Sequence, residues 1–128
     1  MCGAAISCNS KLQTCPALLS VEAEYIAMTR TAQEAIWICQ LLKDLGYKQT
    51  HSITLFGDNK GVISLAGNPS DHPQTKHIAS CHYFICFAVS NNTVLLKYIS
   101  TLEIAAGGLT KELSGPKHHS FIVRDLEV

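Results

Sequence analysis

The feature that most constrains this chain is a single long helical pattern. From Val21 to Leu45, apolar residues recur every three or four positions: Val21, Tyr25, Met28, Ala32, Ala35, Cys39 and Leu42. No Pro or Gly interrupts the stretch. Ser20 is a good N-cap, and Gly46 is a natural stop after Lys43. A helix of this length runs about 37 Å and presents one apolar stripe. The rest of the chain must supply the layer that covers it.

Short alternating elements follow. His51–Phe56 reads as a strand, Asn59–Ala66 as a short helix, and residues 67–76 as a loop with Pro69 and Pro73. Ile78–Val89 is a second amphipathic helix, Asn91-Asn92 a turn and Val94–Ile99 a strong strand. Residues 103–113 read as loop or irregular helix. Pro116 suits the first position of a last helix over Lys117–Leu126. Before the long helix, Gly3–Leu12 reads as the end of a strand and a turn at Asn9-Ser10-Lys11. Helices between strands give an α/β chain. At 128 residues it is one domain at most, spanning 1–128.

Composition narrows the functions open to such a chain. A hydrophobic content of 47% with 16% charge fits a packed chain, not a disordered one. Ten basic residues balance ten acidic ones, giving no net charge. That argues against a strong electrostatic nucleic-acid binder, because phosphate contacts need excess Lys and Arg. A locally basic face around Lys60, Lys76, Lys111 and Lys117 stays open. No stretch has the apolar length of a membrane span, and residues 1–6 lack the charged and apolar regions of a secretion signal. Six cysteines in that setting read as intracellular thiols, not a disulfide framework.

Two groups of side chains carry possible chemistry. His77, Cys81, His82 and Cys86 fall at i, i+4, i+5 and i+9, so each His–Cys pair lies one helical turn apart. Residues five apart diverge by about 140° around a helix, so the four cannot converge on one Zn²⁺. The plainer reading is a partly buried helix that carries polar residues. The second group is acidic. Asp58 follows directly on the apolar strand, and the carboxyl ends of strands are where open α/β sheets bind ligands. The competing reading is that Asp58-Asn59 merely caps the next helix. Glu22 and Glu24 open the long helix, where acids also complement the dipole. Taking the apolar stripe as centred on Val21 and Cys39, Glu24 lies about 60° from it, with Leu42, and Glu22 about 100° away on the other side, with Gln40. That predicts Glu24 toward the sheet and Glu22 toward solvent. Two carboxylates close together are costly without a cation between them, and Mg²⁺ prefers such oxygen ligands.

These residues carry a resemblance. Leu19-Ser20-Val21-Glu22-Ala23-Glu24-Tyr25-Ile26-Ala27 resembles the S-S-T-E-A-E-Y-I-A segment of copia-type retrotransposon ribonuclease H domains. Gly57-Asp58-Asn59 is similar to their C-D-N, and Gly67-Asn68-Pro69 with Gln74-Thr75-Lys76-His77-Ile78 to N-P…R-T-K-H-I. Residues 94–100 resemble the strand L-E-Y-V-P, and Ala105-Ala106-Gly107-Gly108-Leu109-Thr110-Lys111 resembles A-D-G-L-T-K. Residues 3–11 are similar to G-x-I-S-W-x-S-K. The matches are in order and cover nearly the whole chain.

The resemblance implies an enzyme that cuts the RNA strand of an RNA–DNA hybrid during reverse transcription. It would act within a Pol polyprotein beside a reverse transcriptase domain, with Mg²⁺ as cofactor. The family's four acids lie on the first strand, in the first long helix, after the next strand and near the C-terminus. Glu24 matches the helix acid and Asp58 the strand-end acid, so both are expected as metal ligands and catalytic residues. The first-strand acid, in a Y-S-D-A-D-W segment, lies upstream of this sequence. The last acid is replaced by Gly107. In the H-I-D-x-R-Y-H-F-I-R-E segment, two basic positions have become Cys81 and Cys86, and an acid has become Phe87. The family Trp has become Cys8. The expectation is a partial ribonuclease H-like fold, a mixed sheet lacking its first two strands, in a degenerate remnant inactive on its own. The rival expectations are a hydrolase completed by upstream polyprotein sequence, a non-catalytic interaction or nucleic-acid-binding module, and a pseudogene fragment with no biochemical role.

Overall fold

In a computed structural model, residues 6–10, 20–67, 76–110, 112 and 114–125 are described. The long helical pattern forms helix α1, Ser20–Asp44. It is followed by strand β1 (Ile53–Gly57), helix α2 (Lys60–Gly67), helix α3 (Lys76–Ser90), strand β2 (Val94–Tyr98), helix α4 (Ala105–Thr110) and helix α5 (Gly115–Asp125). Each lies within two residues of the element that the sequence pattern predicts, and the irregular stretch resolves into α4. Half of the expected strand and turn over Gly3–Leu12 lies outside the described residues, as do residues 68–75 of the loop. Residues 6–10 carry no regular secondary structure.

Both long helices stop by one mechanism. Gly46 takes a left-handed φ of 91° while its N–H donates to Lys43 O and the Tyr47 N–H donates to Leu42 O. At the end of α3, Asn92 takes φ 55°, with Asn92 N–H donating to Val89 O and Thr93 N–H to Ala88 O. This paired bonding satisfies carbonyls that the helix leaves open, and it requires a residue that tolerates the left-handed region. Each turn then feeds a strand. The Ser52 hydroxyl donates to Asn92 O at 2.6 Å, tying the two turns together.

The strands pair in parallel, with Ile53 opposite Val94 and Gly57 opposite Tyr98. Parallel pairing needs a crossover, and α2 and α3 supply it. Among the described residues the sheet is two-stranded and parallel, α/β in class as expected, and the expected mixed pairing is not seen there. Its two faces differ. Leu55, Gly57 and Val94 point to the face packed by α1, α2 and α3 and are buried. Thr54, Phe56, Leu95 and Lys97 point the other way and are exposed. The core joins Tyr25, Met28 and Ala32 of α1 to Leu55, Val62, Ala66, Ile85, Ala88 and Val94. Burial of Ile85, Val62 and Val94 is essentially complete. The Thr29 hydroxyl donates to Cys81 O, fastening α1 to α3. The α4 helix packs chiefly on α5, which buries Phe121.

Candidate active site at the carboxyl ends of the strands

The site is set by where α1 crosses β1. A Cβ on Gly57 would stand 3.4 Å from Met28 Cε and 3.9 Å from Ile63 Cδ1. Met28 of α1 and Ile63 of α2 thus pack at ordinary contact distance over the last residue of the strand. Asp58 is the next residue. Glu24 lies one turn before Met28 on the same side of α1. The crossing therefore carries one acid on the helix and one at the strand end.

Glu24 senses the charge of Asp58. Glu24 is held above the ordinary range of a glutamate, first by burial and then by the negative charge of Asp58. Like charges at close range disfavour ionisation of one partner, as does removal from water. Of the two acids that the sequence singled out, Glu24 is thus near enough to Asp58 to be influenced by its charge.

The capping alternative for Asp58 resolves one residue further on. Asn59, not Asp58, is the cap: its Oδ1 accepts from the Gly61 N–H at 3.0 Å and the Val62 N–H at 3.3 Å. Asn59 O also accepts from the Ile63 N–H. With Asn59 filling that role, helix capping does not account for Asp58.

The predicted orientation of Glu22 is corrected. Glu22 is buried, at 6% exposure, where the stripe argument placed it toward solvent. The buried residues in the first half of α1 are Glu22, Tyr25, Ile26, Met28, Thr29 and Ala32. At 100° per residue they fill an arc of about 160° centred roughly 60° from Val21, on the Glu22 side. The apolar count had centred the stripe on Val21 because it passed over Ile26 and Thr29. The α1 N-terminal half is covered by α3 as well as β1, so its buried face is wider than the strand alone requires. Glu24 lies about 40° outside that arc and is half-buried. Glu22 lies inside it, and the sequence reasoning missed it. Thr29, one turn apart from the apolar positions, was the available signal.

The remaining sequence candidates stand elsewhere. Gly107 lies in α4, with its N–H on Ile104 O. A Cβ there would make only an ordinary 3.6 Å contact with Ile104 Cγ2, so the position has room for an acid. In α3, His82 and Cys86 meet as the one-turn spacing predicts, with Sγ 3.6 Å from Nε2. The His82 ring also packs edge-on against Tyr25, with centroids 5.4 Å apart. Burial pushes the Cys86 thiol up. Burial, and then Cys86, pushes the Tyr25 phenol to about 12. Together Tyr25, His82 and Cys86 form a packed polar cluster between α1 and α3. Among the described residues, no three His, Cys, Asp or Glu side chains are placed to hold a metal ion.

A cleft of about 320 Å³ lies at the other end of the strands, lined by Ile36, Cys39, Lys43, Lys48, Ile53 and Thr93. It is separated from the acids by the length of β1, about 13 Å. Pocket size and the position of the acids therefore do not coincide, and the acids mark the candidate site. Among the described residues, no helix is long and apolar enough to cross a membrane.

The fold is α/β, with a two-stranded parallel sheet among the described residues. Sequence comparison adds the relatives. The retrovirus-related Pol polyprotein from transposon TNT 1-94 of Nicotiana tabacum is 41% identical over 109 residues, 85% of this chain and 8% of that polyprotein. The retrovirus-related Pol polyproteins from transposons RE2 and RE1 of Arabidopsis thaliana are each 37% identical over 116 residues, 91% of this chain and 8% of theirs. The chain is homologous, over most of its own length, to a short stretch of retrotransposon Pol polyproteins. It spans about 8% of the relatives it matches. No family model matches the chain, and no solved structure matches it.

Proposed function

We propose that this chain is a remnant of a copia-type retrotransposon ribonuclease H domain, a polynucleotide-facing α/β fold that does not cleave RNA–DNA hybrid by itself. The observation that carries the reading is the match to retrotransposon Pol polyproteins over 85–91% of the chain; the position of Glu24, its pKa raised by burial and then by Asp58, agrees with it. Glu24 and Asp58 are the two residues that match acids of that family. The charge of Asp58 on Glu24 is what a divalent cation would relieve, and carboxylate oxygen atoms suit Mg²⁺. Glu24 and Asp58 are the residues that would hold it. When bound, Mg²⁺ would supply charge to an attacking water and a leaving oxygen. Met28, seated against Gly57, fixes the distance between helix and strand end.

Inactivity follows from the donor count. The 128 residues match two of the family's four acids, and Gly107 occupies a third position. Loss of one preorganised charge-stabilising group costs roughly 10²–10³ in rate, and Gly107 at an acid position is such a loss. The test is a gel assay on a labelled RNA–DNA hybrid with Mg²⁺ or Mn²⁺. The expected result is no product from the unmodified chain, and none from Gly107→Asp alone. Cleavage that disappears in Asp58→Asn would overturn the reading and favour a working hydrolase. Calorimetry is expected to show no submillimolar Mg²⁺ affinity. Tight binding abolished by Asp58→Asn would count the same way.

A further inference from the structure

The strand ends carry a cation beside the two acids. Lys60 is the first residue of α2, two positions after Asp58, and its ammonium lies 4.6 Å from the centroid of the Tyr98 ring. Tyr98 ends β2 and lies opposite Gly57 in the parallel register, so the ring sits at the strand end from which Asp58 leaves. Both Lys60 and Tyr98 are exposed, so this ammonium faces water with an aromatic plane beneath it. Lysine is normally a flexible point charge. Attraction between an ammonium and a ring face confines it to one place.

That place has a consequence for anything polyanionic. A phosphodiester brought to Glu24 and Asp58 approaches two carboxylates, and its neighbouring phosphates are repelled by the same charges. A fixed ammonium at the same edge offsets that repulsion and offers three donors to a phosphate oxygen. The chain has no net charge, so its affinity for a polyanion depends on where single cations stand.

We propose that Lys60, held on Tyr98, is a positioning residue that binds a backbone phosphate of a nucleic-acid strand laid across the carboxyl ends of β1 and β2. The proposal rests on the reading of that end as polynucleotide-facing. Tyr98 acts through Lys60: its ring face sets where the ammonium waits.

The experiment is fluorescence anisotropy of a short labelled RNA–DNA hybrid with the full chain, in EDTA, over about 50 to 200 mM KCl. EDTA removes metal binding and cleavage from the measurement. Lys60→Gln should weaken binding and lower the slope of log affinity against log salt by about 0.9, the value of one phosphate contact. Its deficit relative to the unmodified chain should therefore shrink roughly 3.5-fold over that fourfold rise in salt. Lys60→Arg and Tyr98→Phe should keep the slope. Tyr98→Ala should weaken binding less than Lys60→Gln does. Lys48→Gln, at the far end of the strands, should leave the slope unchanged. An unchanged slope in Lys60→Gln, an equal loss in Lys48→Gln, or no binding at the lowest salt each overturns the proposal. Lys60-dependent binding by a chain that also cleaves the hybrid in Mg²⁺ would remove the inactive-remnant reading and leave the phosphate contact standing. Lys60-independent binding by a chain that does not cleave would do the reverse.

Discussion

The segment from α1 to β2 and the pair α4–α5 are built differently. In the first, every element contributes a buried residue to one continuous core, from Tyr25 through Leu55, Val62 and Ile85 to Val94. In the second, two short helices pack chiefly on each other, and their buried anchor, Phe121, stands outside that core. The site divides along the same line. Glu24 and Asp58 are carried by the packed segment, while Gly107 lies in α4. A carboxylate pair that repels itself needs rigid neighbours to persist. Met28 packs on Gly57 next to Asp58, while Gly107 lies in the smaller α4–α5 pairing.

The contrast predicts unequal responses to mutation. Ile85→Ala, at full burial between α1 and the sheet, should cost about 2–5 kcal/mol and lower the whole denaturation midpoint. A loss under about 1 kcal/mol in chemical denaturation would mean that the core is not continuous. Phe121→Ala should cost less than about 3 kcal/mol, because the larger values for Phe belong to filled cores. Its effect should be local: faster amide exchange across α4 and α5, with α1 and α3 unchanged. Equal loss of protection in all four helices would show that the two segments unfold as one.

Smaller effects sharpen the electrostatic side. The folded-state pKa of Glu24 lies above its unfolded value, so the native state holds its proton more tightly. Stability then falls as pH rises through the window from the unfolded to the folded pKa. The cost is present above that window and absent below it. Glu24→Gln should therefore raise the melting temperature at pH 7, by less than about 3 °C, and leave it unchanged below the unfolded value. A rise of equal size at both pH values would indicate a packing effect instead. The smallest expected change is Gly107→Asp, within about 0.5 kcal/mol of the parent, because the Cβ meets only Ile104 Cγ2 at ordinary contact distance. A loss beyond about 1 kcal/mol in the same titration would show that α4 is packed more tightly than the α4–α5 pairing suggests.

Local pattern and tertiary contact contributed different parts of this protein. The long helix, both strands and the Gly46 and Asn92 stops follow from periodicity and turn chemistry, which act between residues a few positions apart. The position of Asp58 was equally local, since it follows an apolar strand directly. Which residue caps α2 was not: Asp58 and Asn59 are equivalent cap formers by type. The start of α2 at Lys60 decided for Asn59, whose Oδ1 accepts from the Gly61 and Val62 N–H groups. Glu22 shows the same limit. Counting apolar residues locates a stripe, but a helix wedged between a strand and a second helix buries a wider arc. Polar residues such as Glu22 and Thr29 then fall inside it. The meeting of Glu24 with Asp58, and of Lys60 with Tyr98, depends on contacts across 34 and 38 positions of the chain. Local propensity carries no information over that separation. Only the packing of α1 and β2 around β1 decided which charges share the strand ends.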